Sequence, residues 1–234
     1  MNKLFCMLLS LAAVSMSASG QTKATVTRPP SKPAVRAVVT DPPVPIGTVS
    51  GRTYTDRGLG FEITFPDTWL IAGNDFIGYM KAKGFDLTPR PPKAADLASQ
   101  GKVNAYFKRL RILLTAYRSL PSTAENGVVR IAAESIRSLN TNRPIADAVD
   151  YVDLMRSQIG AVRMPAGYTY SETKAEKLGN NQFAYIDTSQ GEVKTRVYVT
   201  VRNGYAILFS LDYFSDSDLE TFRDFLARAN FALK

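Results

Sequence analysis

Ser171 and Lys174 stand at the spacing of an S-x-x-K pair, and Lys194-Thr195-Arg196 repeats the first two residues of a K-T-G triplet. In enzymes that use this set the serine opens a buried helix and is the acyl-transfer nucleophile. Here Tyr168, Tyr170 and Ala175 give the stretch the pattern of a strand or turn. No S-x-N lies suitably between the two motifs, and Arg196 stands where the glycine should be. The pair is therefore read as a chance match, and a hydrolase using Ser171 or carboxylates is kept as the alternative function.

Asp147, Asp150 and Asp153 recur every third residue on a helical segment. Such a ridge could present carboxylates to Ca²⁺ or for acid–base work, but one helix face cannot wrap an ion that needs six or more oxygens. The ridge is read as a solvated face, with Asp147 helped by the dipole of the helix N-terminus. Asp212, Asp216 and Asp218 are read as turn and cap residues. Trp69, the single tryptophan, is expected to pin a strand to the core.

The strongest exclusions come from what is missing. The 234 residues include one cysteine, Cys6, and no histidine. A Ser-His-Asp triad, a Cys-His dyad and His-ligated zinc or haem are thereby ruled out. There is no Gly-rich phosphate loop. The sequence nominates no catalytic, cofactor-binding or metal-ligating residue, and no cofactor.

Arg196, Tyr198 and Arg202 alternate like a polyanion-binding ladder, but Asn203-Gly204 decides their surroundings. This dipeptide suits a two-residue type I′ turn, which needs positive φ at both positions. The turn pairs Arg202 with Tyr205, Thr200 with Ile207, Tyr198 with Phe209 and Arg196 with Leu211. Val201, Val199, Val197, Ala206 and Leu208 fill the other face. Both faces are apolar, so the hairpin is central and covered on each side. Tyr198 belongs to the core, and the end arginines reach water.

Around this hairpin, alternation predicts strands at 61–65, 110–116, 129–133 after Asn126-Gly127, 168–177, 182–188, 194–202 and 205–213. Helical spacing appears over 145–160, from Ile145 through Val149, Val152 and Met155 to Ile159, with Gly160 at its end. A second helix runs over 216–229, with Leu219, Phe222, Leu226 and Ala229 as its stripe and Ser217 and Glu220 as a capping box. The weak region is 74–108, where Asp75–Lys83 and Ala94–Gln100 suggest short helices. The fold class is α+β, an antiparallel sheet with helices on both faces. Helices 145–160 and 216–229 are assigned to one face and part of 74–108 to the other.

Residues 1–20 read as a secretory signal: Lys3, the apolar run Leu4–Val14, then Ala18-Ser19-Gly20 before a cleavage site. Eleven residues cannot span a bilayer, which takes about 20, and no other stretch forms a transmembrane segment. Residues 21–50 hold six of the 13 prolines and no aromatic residue, the composition of a disordered polyproline-rich linker. One domain follows over 51–234. The expected location is the periplasm or the cell exterior, and the formal charge, +8 for the full chain and +7 once Lys3 leaves with the signal, then meets envelope polymers and acidic proteins, with no nucleic acid as partner.

Leu59-Gly60-Phe61-Glu62-Ile63-Thr64-Phe65-Pro66-Asp67-Thr68-Trp69 resembles the opening of PsbP-like domains. Gln182–Asp187, Val197-Tyr198-Val199, Asn203–Phe209 and the terminal helix followed by Asn230-Phe231 resemble that family's later hairpins and end. The resemblance covers most of 53–234 and is patchy over 74–108. Its motifs are structural. It implies a binding or assembly module of the PsbP-like sandwich type and names no partner; export and the basic charge point to a protein or anionic envelope component. Metal roles proposed for photosynthetic members lean partly on histidine and are not carried over.

Overall fold

Asn203 and Gly204 take φ of 52° and 83°, and the hairpin they close has the register expected from the turn alone, Arg202 to Tyr205 through Arg196 to Leu211. A computed structural model shows this hairpin at the centre of the molecule and describes residues 46–233 other than Ser122, Ala124, Ser138, Asn140 and Asn142. The signal and most of the proline-rich linker lie outside the described residues.

In chain order the elements are β1 (Thr48–Ser50), β2 (Thr53–Asp56), β3 (Phe61–Thr64), β4 (Leu70–Ile71), α1 (Asn74–Ala82), α2 (Leu97–Arg109), β5 (Arg111–Tyr117), β6 (Val128–Ser135), α3 (Ala148–Gly160), β7 (Thr169–Tyr170), β8 (Lys174–Leu178), β9 (Asn181–Gln190), β10 (Val193–Arg202), β11 (Tyr205–Tyr213) and α4 (Asp216–Ala227). An antiparallel sheet runs β4-β5-β6-β11-β10-β9, and β7 and β8 share the outer edge of β9. A second sheet, β1-β2-β3, is joined to the C-terminus by reciprocal backbone bonds between Glu62 and Asn230 of 2.8 and 2.9 Å. The protein is thus α+β, with helices on both faces of an antiparallel sheet.

The two faces of the large sheet are built from alternate residues of the same strands. Ile131, Phe183, Tyr198, Ile207 and Phe209 face the small sheet and α4, which contributes Phe222, Phe225 and Leu226. Ala132, Ala184, Val199, Ala206 and Leu208 face α3, which contributes Tyr151, Val152 and Met155, with Tyr106 of α2 beside them. The helices expected together on one face are therefore on opposite faces. Periodicity marks which stripe of a helix is apolar, but not to which side of the sheet its connection leads.

On the first face the fit is tight. Phe61, Phe183, Phe209 and Phe231 form a ring cluster with centroids 5.6–6.1 Å apart, several edge-to-face. Trp69 is buried here against Phe225, as a strand pin should be. Burying each of the three large apolar residues of α4 contributes about 1.5–3 kcal/mol. Gly179, at φ 58°, turns the β8–β9 connection so close to the end of α4 that a Cβ would lie 2.1 Å from the Ala227 carbonyl oxygen.

Local signals shift several boundaries. Helix α3 starts at Ala148 because Asp147 is its cap, accepting from the Val149 and Asp150 N–H groups at 2.8 and 3.0 Å. Helix α4 is capped by Ser215, accepting from Asp218 N–H, two residues before the expected capping box. Residues 48–50, placed by composition in the linker, form β1, whose side chains are exposed. Gly47 starts it by donating its N–H to the Tyr54 hydroxyl at 3.1 Å. Helix α2 begins later than expected and runs to Arg109, its Asp96 cap accepting from Ser99 N–H at 2.7 Å.

Candidate functional site

Helix α2 is held over the second sheet face at both ends. Near its start, Lys102 Nζ donates to the Ala161 carbonyl at 3.1 Å and Ser99 Oγ accepts from Arg163 N–H at 2.8 Å, tying α2 to the turn after α3. At its end, Arg109 Nε donates to Glu134 Oε1 of β6 at 2.6 Å. Between these ties α2 stands away from the sheet and leaves a cleft of about 440 Å³. Val103 and Tyr106 of α2, Met155 and Ile159 of α3, and Ile186 and Val197 of the sheet form most of its wall. Among the described residues its charged lining is Lys102 and Arg109, with no aspartate or glutamate.

Behind Arg109 lies a polar group of unusual depth. Glu134 is 1% exposed; its second oxygen accepts from the Tyr151 hydroxyl at 2.5 Å, and that hydroxyl lies 3.5 Å from the Tyr106 hydroxyl. A buried carboxyl is tolerated only with such partners. Desolvation raises the pKa values of both phenols above the ordinary tyrosine value. Arg109, stacked 5.2 Å from the Tyr106 ring centre, is therefore committed to Glu134, whereas Lys102 has no acidic partner among the described residues.

The residues singled out for chemistry are scattered. Ser171 lies in the coil between β7 and β8, where its hydroxyl donates to the Glu172 carbonyl and accepts from Asp187 N–H, so it does not open a helix. Lys174 lies 5.9 Å from the Tyr185 ring centre, a cation over an aromatic face. Asp147 caps α3, Asp150 accepts from Ala146 N–H and Asp153 accepts from the Thr173 hydroxyl, three separate local tasks. Asp212 is not in a turn: it sits in β11 and accepts from Thr195 and Arg130. Asp218 is buried and paired with Arg118.

The arginine ladder also reads differently in three dimensions. Tyr198 is fully buried, as its cross-strand partner requires. Arg196, expected to reach water, instead grips both oxygens of Asp187 at 2.6 and 2.9 Å and stacks 4.4 Å from the Tyr185 ring centre. Tyr198 then donates to Glu176, which also pairs with Arg223 of α4. This network fastens the β9 edge to α4.

The cleft residues were not singled out from the sequence, although part of their signal was there. Val103, Tyr106 and Leu110 have helical spacing after Asp96, and Met155 and Ile159 are in the recognised α3 stripe. What the sequence does not carry is their meeting, since the wall joins α2, α3 and two strands far apart in the chain.

No family model matches the chain, and no curated protein matches it. Among solved structures, the solution structure of cyanobacterial PsbP from Synechocystis sp. PCC 6803 aligns with 82% of this chain and 98% of its own, at 15% identity and a TM-score of 0.43. A crystal structure from Bacteroides thetaiotaomicron VPI-5482 aligns with 78% of this chain and 48% of its own, at 14% identity and a TM-score of 0.38; this chain thus spans about half of it.

Proposed function

We propose that the chain is an exported, non-catalytic binding or assembly module of the cell envelope, and that the cleft between α2 and α3 is its binding surface. The observation that carries the reading is the cleft wall. The segment that covers the second sheet face leaves an apolar recess, where a hydrolase would need converging carboxylates or an activated nucleophile. Burial raises the pKa values of the two phenols that line the recess, Tyr106 and Tyr168, which keeps both in the neutral form at ordinary pH. Among the described residues no helix is long and apolar enough to cross a membrane. Export rests on residues 1–20, and the partner is a protein or anionic envelope component.

Two experiments test this. Mass spectrometry of the mature N-terminus is expected to find residue 21 first; retention of Met1 contradicts export. Crosslinking in the native cell from a photoreactive residue at Ala105, on the cleft wall, is expected to give discrete adducts. Turnover of an ester or glycoside library that Ser171→Ala or an aspartate substitution abolishes would instead establish the hydrolase.

A further inference from the structure

We infer that the cleft takes a single-chain amphiphile with a carboxylate head, a fatty-acid-like ligand, whose chain lies between α2 and α3 and whose head meets Lys102. The inference rests on the reading of the cleft as a binding surface and adds the ligand class. A volume of about 440 Å³ is within the roughly 300–1,000 Å³ of small-molecule pockets. The wall is apolar from three directions: Val103 on α2, Met155 and Ile159 on α3, Ile186 and Val197 on the sheet. An acyl chain gains from leaving water for such a wall in proportion to the apolar area it buries.

Charge selects the head. The two cationic lining residues are not equivalent. Arg109 is already neutralised by Glu134. Lys102, exposed on α2 next to Val103 and one turn before Tyr106, makes only a neutral hydrogen bond to the Ala161 carbonyl and keeps its charge unmatched among the described residues. Among the described residues no acidic side chain lines the recess to repel an anion. One unmatched cation at the rim of an apolar recess suits one singly charged head on one chain. A diacyl lipid surface would ask for a broad basic face, and the recess supplies a single lysine.

Isothermal titration of the whole protein with dodecanoate below its micelle concentration tests this, with dodecanol, dodecylamine and dodecyl phosphate alongside and phosphatidylglycerol vesicles as a separate arm. Dodecanoate is expected to bind one per chain, at least ten-fold tighter than dodecanol and tighter than dodecylamine. Lys102→Gln is expected to weaken dodecanoate about ten-fold while leaving dodecanol unchanged, and Lys102→Glu to weaken it further. Ala105→Trp, at an exposed wall position, is expected to fill the recess and abolish both, with the melting temperature unchanged. Equal affinity for the alcohol, preference for the phosphate or vesicles, or indifference to Lys102→Gln would each overturn the ligand class. No dodecanoate binding, with adducts still forming from Ala105 in the native envelope, would overturn the ligand class and leave the module reading; absence of both would remove that reading as well.

Discussion

The two faces of the large sheet come from alternate positions of the same strands, yet one is filled and the other is hollowed. Toward α4, β9 and β11 present Phe183 and Phe209, and the small sheet answers with Phe61. Toward α3, the neighbouring positions are Ala184, Ala206 and Leu208, with Ala132 beside them on β6. Large rings interlock at native packing density and leave no recess. The alanines let α3 pack close with Tyr151, Val152 and Met155, while beside it α2, tied through Lys102 and Arg109, spans Ile186, Thr188 and Val197 without filling the space above them. One face is thus closed by interlocked rings, and the other keeps a recess beside its own buried cluster.

The sharpest way to break this contrast is to remove a ring. Phe209→Ala takes a fully buried side chain from contact with Phe61, Phe183 and Phe231. It is expected to cost about 3–5 kcal/mol in denaturant unfolding; a loss under about 1 kcal/mol would mean that this face is not the closely packed one. Removal of Arg109 comes next. Arg109→Ala leaves Glu134 with only the Tyr151 donor, and a loss of about 1–3 kcal/mol is expected.

Adding volume tests the same contrast from the other side. Ala133→Val enlarges a fully buried residue of the filled face, and overpacking there is expected to cost about 1–3 kcal/mol. Val197→Ile adds a methylene beside the recess and is expected to change stability by no more than about 0.5 kcal/mol. Similar losses from both would show that the recess is closed in solution.

The smallest effect is a pH dependence. Burial raises the Tyr106 pKa in the folded state, while an unfolded tyrosine ionises near ~10. The stabilising difference is complete below pH ~10 and is lost as pH rises through the folded value, because the unfolded chain releases its proton first. Tyr106→Phe is therefore expected to leave stability at neutral pH nearly unchanged and to flatten its decline above pH ~10, followed by urea midpoints across that range. An unchanged alkaline slope would place that phenol in water.

Much of this fold was legible because its central signal is local. Asn203-Gly204 sets a hairpin register with no tertiary information, and alternation then sorts Tyr198 and Phe209 from Val199 and Leu208. The small sheet was harder to see. β1 and β2 read TVS and TYTD, short and polar, and of their residues Tyr54 and Asp56 are buried. The sides taken by α3 and α4 depend on how their connections cross the sheet, which no side-chain pattern records. Asp212 looked like a turn residue because Asp216 and Asp218 follow it, but its strand position is fixed by pairing with Val128. The recess was the least legible feature, since it is defined by what the wall residues leave empty.

The central claim is that binding occurs on the hollowed face and not on the filled one, and methyl-detected NMR during titration with dodecanoate tests it most directly. The methyl groups of Val103, Met155, Ile159, Ile186 and Val197 are expected to shift together and saturate at one ligand per chain, while those of Leu59, Ile63 and Leu226, on the α4 side, stay in place. Shifts confined to the α4 side, or an unperturbed spectrum throughout the titration, would contradict the account.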